Sequence, residues 1–479
     1  MAGNSHLIQN ATVVSVDDKV GVRYGCDILV EDGVITAIDS DLKPPSGVPI
    51  IDASECIVSP GFVDTHRHTW ESQLKNVTSD SQLCDYVLWI RNVYGSCYTS
   101  KDVYLGNLAG ALESIDSGIT CLVDHSHIMN TPAHADAAVE GLQAAKIRGV
   151  FCYGLYKNKM WPGVPPDAVQ EETEPDWRLA DAQRIRQKYF STANVPSDLL
   201  RFGFAPAEIE RSTVKEAIDQ VEFGREIGAA IITGHISMGE KLDRGMHFIR
   251  HLQQNSLLGP DLLFSHCGAL CEDELQAMHE HNVGISCTPD TELQMAMGPL
   301  IAFRGAEHGC KMSLGIDVAC NNAVDMFQQM RLLLQNQRNI DNLAMQGPPN
   351  TISRKCEEVL RFATLGGAEC MGLKDVVGSI SVGKKADLLL TKCTSPRLTP
   401  IHDPVAALVL YANASDIDTV LIDGVIVKQG GKLVVADWST VRKEVLQSSN
   451  NIKERGAVAP VSKINETILS LSQLQKKHG

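Results

Sequence analysis

From residue 59 to residue 374 the chain repeats one rhythm: a short, nearly continuous apolar run, a stretch of helical composition, then another apolar run. The runs centre near Phe62, Leu122, Phe151, Phe204, Ile231, Leu263, Ile285 and Leu314, with helix-like segments such as Val103 to Ser117, Val214 to Ile227 and Asp273 to His281 between them. Strands buried on both faces read as unbroken apolar runs, and parallel neighbours need a long crossover to reconnect. Eight such units predict an α/β fold, a closed (β/α)8 TIM barrel, whose catalytic groups sit at the carboxyl ends of the strands.

The ends of the chain follow another pattern. Short alternating runs appear at Ala11 to Val16, Asp27 to Val30 and Val34 to Ile38, with Asp32-Gly33 marking a hairpin, and similar runs return at Asp387 to Leu390, Thr419 to Ile422 and Val425 to Val427, around Asp423-Gly424. Both ends together predict a small β-sandwich domain from residues 1–58 and 375–440, beside a barrel of residues 59–374. The tail 441–479 is of helical composition, notably Val441 to Leu446 and Ile464 to Leu474. A length of 479 residues suits a barrel of roughly 250 residues or more with a satellite domain.

A net charge of -15 argues against nucleic acid or an anionic membrane as partner and leaves a small-molecule substrate as the expectation. The fourteen cysteines lack the dense regular spacing of a disulfide scaffold, and several, including Cys56, Cys121, Cys152 and Cys287, lie inside apolar runs. They read as reduced core thiols, and Cys267 and Cys271, despite lying beside His266, read as packing residues. The amino-terminal residues carry no basic and apolar leader, and no run reaches the roughly 18 apolar residues of a membrane span. A soluble, cytoplasmic protein is expected.

The chemistry lies in what ends the runs. His66-Arg67-His68 closes the first, and residues two apart on a strand face the same way, so two imidazoles emerge together where they can grip one metal ion. Strand five ends in His235, strand six in His266 and strand eight in Asp317. One histidine alone is more often a hydrogen-bonded structural residue, but this set repeats at four strand ends. Three imidazoles and a carboxylate suit one divalent ion, Zn with Fe(II) as the alternative, which lowers the pKa of bound water; a neighbouring aspartate can take the proton.

These residues resemble the amidohydrolase superfamily, whose pattern is HxH on strand one, histidines after strands five and six and an aspartate after strand eight. Phe362-Ala363-Thr364-Leu365-Gly366-Gly367-Ala368 and Gly378 to Asp387 resemble its carboxyl-terminal signature. The resemblance spans about residues 7 to 435. It implies that His66, His68, His235 and Asp317 bind one metal, that His266 contacts substrate or water, and that Asp317 shuttles the proton. Strand four, Leu200 to Pro206, lacks the lysine of the binuclear members, although Lys157 and Lys159 follow strand three, so one metal is expected. Association of like subunits is a family-level expectation.

Within the superfamily the chain is most similar to the branch of ring deaminases and triazine chlorohydrolases, where a glutamate typically follows the strand-five histidine by three residues. Here that position is Met238, and a thioether carries no transferable proton. Glu208 after strand four and Glu240 are the candidate replacements, unless Asp317 and His266 suffice. Trp70, Gln73, His125 and His127 are candidate substrate contacts, because the first two follow HxH in the loop expected to cover the metal and the others end strand two. The segments Cys287 to Glu292 and Asn158 to Pro175, the latter holding Trp161 and Pro162, are expected to shape specificity. The expected reaction is hydrolysis of a C–N bond, amide or ring amine, in a small cyclic compound; a metal-dependent lyase or decarboxylase and a catalytically silent binding protein are the rival readings.

Overall fold

The computed structural model describes residues 3–158, 160, 161, 164, 165, 168–239 and 245–466. Eight parallel strands lie in sequential order: β1 (Phe62–Arg67), β2 (Ile119–Ser126), β3 (Arg148–Gly154), β4 (Leu200–Ala205), β5 (Ile232–Ile236), β6 (Leu262–His266), β7 (Gly284–Cys287) and β8 (Lys311–Leu314). Seven of the eight expected centres fall on these strands, and Ile231 lies one residue before β5. Each strand is apolar on both faces because one side fills the barrel and the other packs on helices, so residues of β1, β2 and β3 are buried throughout.

The crossover helices begin where the sequence supplies caps. In Ser100–Asp116 the Thr99 hydroxyl accepts from the Asp102 amide while Asp102 Oδ2 accepts from the Thr99 amide at 2.9 Å, satisfying two otherwise orphaned donors. The other two expected helical segments are Val214–Glu226 and Glu272–Glu280. A C-terminal helix, Trp438–Gly456, starts at an Asp437 cap and lies against Ser100–Asp116. The expected helical segment from Ile464 to Leu474 runs past residue 466 and so lies largely outside the described residues.

The two chain ends build one mixed sheet of nine strands. Its join is Leu388–Lys392, antiparallel to Cys56–Pro60 with Leu388 opposite Pro60, which ties the return of the chain to the strand feeding β1. Both Asp-Gly pairs form turns with positive φ, Asp32 at 49° and Gly33 at 78°, Asp423 at 52° and Gly424 at 73°. The two turns touch: a Cβ on Gly33 would lie 2.5 Å from the Asp423 carbonyl oxygen. Arg148 of β3 reaches the buried Asp387 carboxylate with Nε at 2.7 Å and Nη2 at 3.1 Å, linking barrel to sheet.

The barrel closes between β8 and β1 beyond the last residue of β8. The Asp317 amide donates to the His66 carbonyl at 2.8 Å and the His68 amide donates to the Asp317 carbonyl at 3.0 Å. The residues expected to bind metal therefore also form the seam of the sheet.

Candidate active site

At the carboxyl ends of the strands, the alternation of β1 directs His66 and His68 toward the barrel axis, with ring centroids 4.9 Å apart. His66 Nε2 lies 3.3 Å and His68 Nε2 3.5 Å from Asp317 Oδ1. His235 and His266 complete the group, their centroids 5.0 and 5.5 Å from that of His66. The backbone of His266 (φ 73°) and of Asp317 (φ 68°) is left-handed, an uncommon conformation that re-aims a side chain where a strand gives way to a loop.

Each ring has its own support. His68 Nδ1 donates to the His125 carbonyl at 2.8 Å, which leaves Nε2 as its free lone pair. His266 Nδ1 meets Glu292 Oε1 at 3.3 Å and Thr288 Oγ1 at 3.2 Å. His235 Nδ1 lies 3.4 Å from Glu208 Oε2 and 3.3 Å from the Tyr156 hydroxyl. His127 accepts from Trp70 Nε1 at 2.9 Å, and its Nε2 sits 3.2 Å from the Tyr86 hydroxyl, which donates to Glu71 Oε1 at 2.7 Å.

The electrostatics suit a cation. Burial pulls His66 down to about 4 against the opposing pull of Asp317. Burial, with neighbouring imidazoles, also pushes His68, His125 and His127 well below the ordinary value. Burial would raise Asp317, but the contact and charge of His66, with His266 and His68, outweigh it and hold the carboxylate ionised. Burial would lower His266, yet Glu292 and Asp317 raise it; burial would raise Glu208, yet His235 holds it down. Neutral His66 and His68 beside an ionised Asp317 are in the protonation states in which such groups bind metals.

Donor atoms of His66, His68, His125 and His235 lie within 4.8 Å of one another, and so do those of His66, His266 and Asp317. Neither ring nitrogen of His66 or His125 makes a hydrogen bond, although all four atoms are buried. Buried polar atoms are rarely left so, and a divalent cation is a partner that satisfies them. The residues present therefore fit a metal ion.

The structure gathers His66, His68, His235, His266, Asp317 and Glu208, and all except the wholly buried His66 line a cavity of about 350 Å³, where Met238 forms part of the wall. Three substrate-contact expectations need correction. Trp70 and Gln73 do not reach the cavity, because a 3-10 turn, Thr69–Leu74, carries them under the helices: Trp70 packs edge-on against Tyr98, and Gln73 Nε2 donates to the Asp102 carbonyl at 2.6 Å and to Ser448 Oγ at 3.1 Å. The helix lies so close that a Cβ on Gly106 would stand 2.4 Å from the Trp70 carbonyl oxygen. His125 turns toward the other imidazoles instead of the cavity, stacking on His235 at 4.6 Å. His127 does line the cavity, but both nitrogens are engaged and its ring braces His68 at 3.8 Å.

Sequence reasoning passed over Tyr86, Arg91 and Tyr156, which also line the cavity. Tyr156 follows β3 by two residues, so the strand-end rule alone could have found it. The segment from Cys287 to Glu292 does reach the site: Thr291 lines the cavity and Glu292 holds His266. Trp161 hydrogen-bonds the Asn92 carbonyl, whereas Pro162, Lys159 and Glu240 lie outside the described residues. Lys157 lies at the cavity, its amine 3.4 Å from Glu172. Cys267 is core packing, but Cys271 groups with His247 and Glu274 away from the cavity.

A parallel barrel that collects imidazoles and one ionised carboxylate at the carboxyl ends of its strands defines a class, the metal-dependent barrel hydrolases. Comparison with known proteins carries that class to a family: the amidohydrolase family model matches residues 57–427, and the chain belongs to the amidohydrolase family. It is 28% identical over 464 residues to a 5'-deoxyadenosine deaminase of Methanosarcina mazei, covering 94% of this chain and 98% of the relative. It is 28% identical over 462 residues to a 5-methylthioadenosine/S-adenosylhomocysteine deaminase of Desulforudis audaxviator, covering 94% and 99%. Among solved structures, a zinc-bound adenosine deaminase from Xanthomonas campestris superposes with a TM-score of 0.81 at 20% identity, covering 94% of this chain and 98% of the other. An atrazine chlorohydrolase from Arthrobacter aurescens gives 0.79 at 20% identity, covering 92% and 99%. The protein is a metal-dependent hydrolase acting on a small molecule, and no helix among the described residues is long and apolar enough to cross a membrane.

Proposed function

We propose that the protein is a mononuclear zinc hydrolase that removes the exocyclic amine of a 6-aminopurine nucleoside, with Glu208 in the place that Met238 leaves without an acid. The observation that carries this reading is Glu208 itself: a carboxylate lining the cavity, one oxygen 3.4 Å from His235 and the other buried without a partner. The names of the relatives support the substrate class. The donor set of imidazoles and one carboxylate supports zinc, with iron(II) as the alternative. Fourteen unpaired cysteines support a reducing, cytoplasmic setting.

Held by His66, His68, His235 and Asp317, the ion would supply the Lewis acidity that makes water nucleophilic near neutral pH. Asp317, ionised, accepts the proton of the attacking water. His266, fixed at Nδ1 by Glu292 and Thr288, keeps its other nitrogen for the oxygen that develops on the ring carbon. Of the water's two protons, Asp317 returns the one it holds to the departing ammonia, and Glu208, ionised at rest, takes the other and delivers it to the ring nitrogen.

The test is ammonia release by zinc-loaded protein from adenosine, 5'-deoxyadenosine and 5-methylthioadenosine, followed by ultraviolet absorbance. Turnover of at least one, abolished in Asp317→Asn, is expected. No turnover of any aminopurine nucleoside would overturn the substrate class, and carbon dioxide release without incorporation of water from any compound would replace hydrolysis with decarboxylation.

A further inference from the structure

The cavity has a second chemical pole that hydrolysis of a neutral nucleoside does not use. Arg91, on the segment Val87–Tyr94, lines it with Leu83, Val87 and Tyr156 as neighbours in the wall. Its guanidinium lies 5.0 Å over the Tyr156 ring, and Nη2 donates to Asn158 Oδ1 at 3.0 Å. Asn158 is itself oriented, its Nδ2 donating to Asn130 Oδ1 at 2.6 Å.

What the guanidinium lacks is an anion. Among the described residues no carboxylate comes within 4.0 Å of Arg91, and its Nε is buried without a hydrogen-bond partner. Buried Arg148 and Arg178 meet carboxylates at 2.7 and 2.9 Å and buried Arg67 lies 3.6 Å from Glu113, whereas Arg201, buried without an ion pair among the described residues, lies away from the cavity and donates to the Met371 carbonyl at 2.8 Å. A cation taken out of bulk water without a counter-charge is costly, so one held at a cavity wall is poised for an anion that comes with the ligand. Arg211, exposed at the same cavity, likewise has no carboxylate within that distance, whereas Lys157 is already engaged with Glu172 and Asp176. Among the described residues, the carboxylates lining the cavity are Glu208 and Asp317, both held in the histidine group. In a chain of net charge -15, such a local exception is informative.

We propose that Arg91, with Arg211 at the mouth, forms an anion subsite, so that the substrate carries a carboxylate or phosphate besides its hydrolysable C–N bond. The proposal rests on the hydrolytic reading above. The planar fork of arginine pairs with both oxyanions through parallel hydrogen bonds, and although Glu71 and Glu208 act on Arg91 from beyond ion-pair distance, its buried Nε is left without a partner.

Adenosine, adenosine 5'-carboxylate and adenosine 5'-phosphate serve as probes, with kcat/KM and calorimetric binding measured on zinc-loaded wild type, Arg91→Met and Arg91→Lys. Wild type is expected to prefer one anionic compound over adenosine by about tenfold or more, and Arg91→Met to bring that ratio near one. Which anion is preferred separates carboxylate from phosphate. A wild-type ratio near one, or a preference that survives in Arg91→Met, overturns the subsite while leaving the deaminase reading intact. If no probe is turned over, the deaminase reading fails and calorimetry decides: Arg91-dependent binding of an anionic compound supports the subsite, and equal or absent binding overturns it. Should Arg91→Met lose its fold by circular dichroism, Arg91→Lys decides, since loss of the fork must lower the ratio and an unchanged ratio refutes the proposal.

Discussion

Replacing Glu208 by glutamine separates the two things a carboxylate in that position can do. The substitution keeps shape and volume at the cavity wall but removes the ability to take up a proton and pass it on. If Glu208 acts as the acid and base of the reaction, the loss falls on kcat and amounts to about 10²–10⁴-fold, the usual worth of a positioned proton carrier, or about 3–5 kcal/mol of barrier. If it only orients His235, the loss falls on metal affinity, typically about 10–100-fold, and excess metal restores the rate. The geometry favours the first: the Glu208 to His235 contact is 3.4 Å, beyond the 2.7–3.2 Å of a good hydrogen bond, so it steers the ring weakly. The assay is kcat across a zinc titration of wild type and Glu208→Gln, with bound zinc measured by atomic absorption. Recovery of full kcat at saturating zinc, or a loss below about tenfold, would refute Glu208 as the proton carrier.

Three other outcomes are expected. Burial raises Glu71 to about 8, so between its ordinary value near 4.5 and about 8 the folded protein holds a proton that the unfolded chain has released, and stability falls as pH rises through that window. Glu71→Gln should make this slope less negative by up to roughly 1.4 kcal/mol per pH unit, measured by urea unfolding of metal-free protein at pH 5, 6, 7 and 8; an unchanged slope would show that Glu71 is ionised in the fold. Arg148→Met leaves the buried Asp387 carboxylate without its 2.7 Å partner and should cost about 3–5 kcal/mol in the same experiment, a loss below about 1 kcal/mol counting against the clamp between barrel and sheet. Removing metal with a chelator should abolish activity and lower the thermal midpoint, with zinc restoring both; activity persisting in protein shown to be metal-free would end the metal-hydrolase reading.

The barrel was legible because strands covered on both faces have to be apolar throughout, and the strand-end rule then located the histidines and Asp317 without any knowledge of contacts. Trp70 and Gln73 show where that rule stops. Their placement depends on a 3-10 turn and on Ser448, which lies 375 positions beyond Gln73, and no local pattern near residue 70 encodes so distant a partner. In His125-Ser126-His127 the alternation was readable, but which ring meets the metal group was decided by the stacking of one on His235 and the Trp70 and Tyr86 hydrogen bonds of the other. Arg91 was invisible for another reason: its meaning lies in the missing counter-charge, a property of three-dimensional surroundings.

The seam between β8 and β1 couples assembly to chemistry. The two amide bonds that join Asp317 to the segment from His66 to His68 span 251 positions of sequence between His66 and Asp317, so they form only when the barrel has travelled its whole circumference. Until then the aspartate and the HxH pair are strangers, and a chain wound short of its last strand offers an ion imidazoles without the carboxylate. An ion held by all of these groups would report that the last strand has found the first, and in holding them would resist the barrel opening along that line.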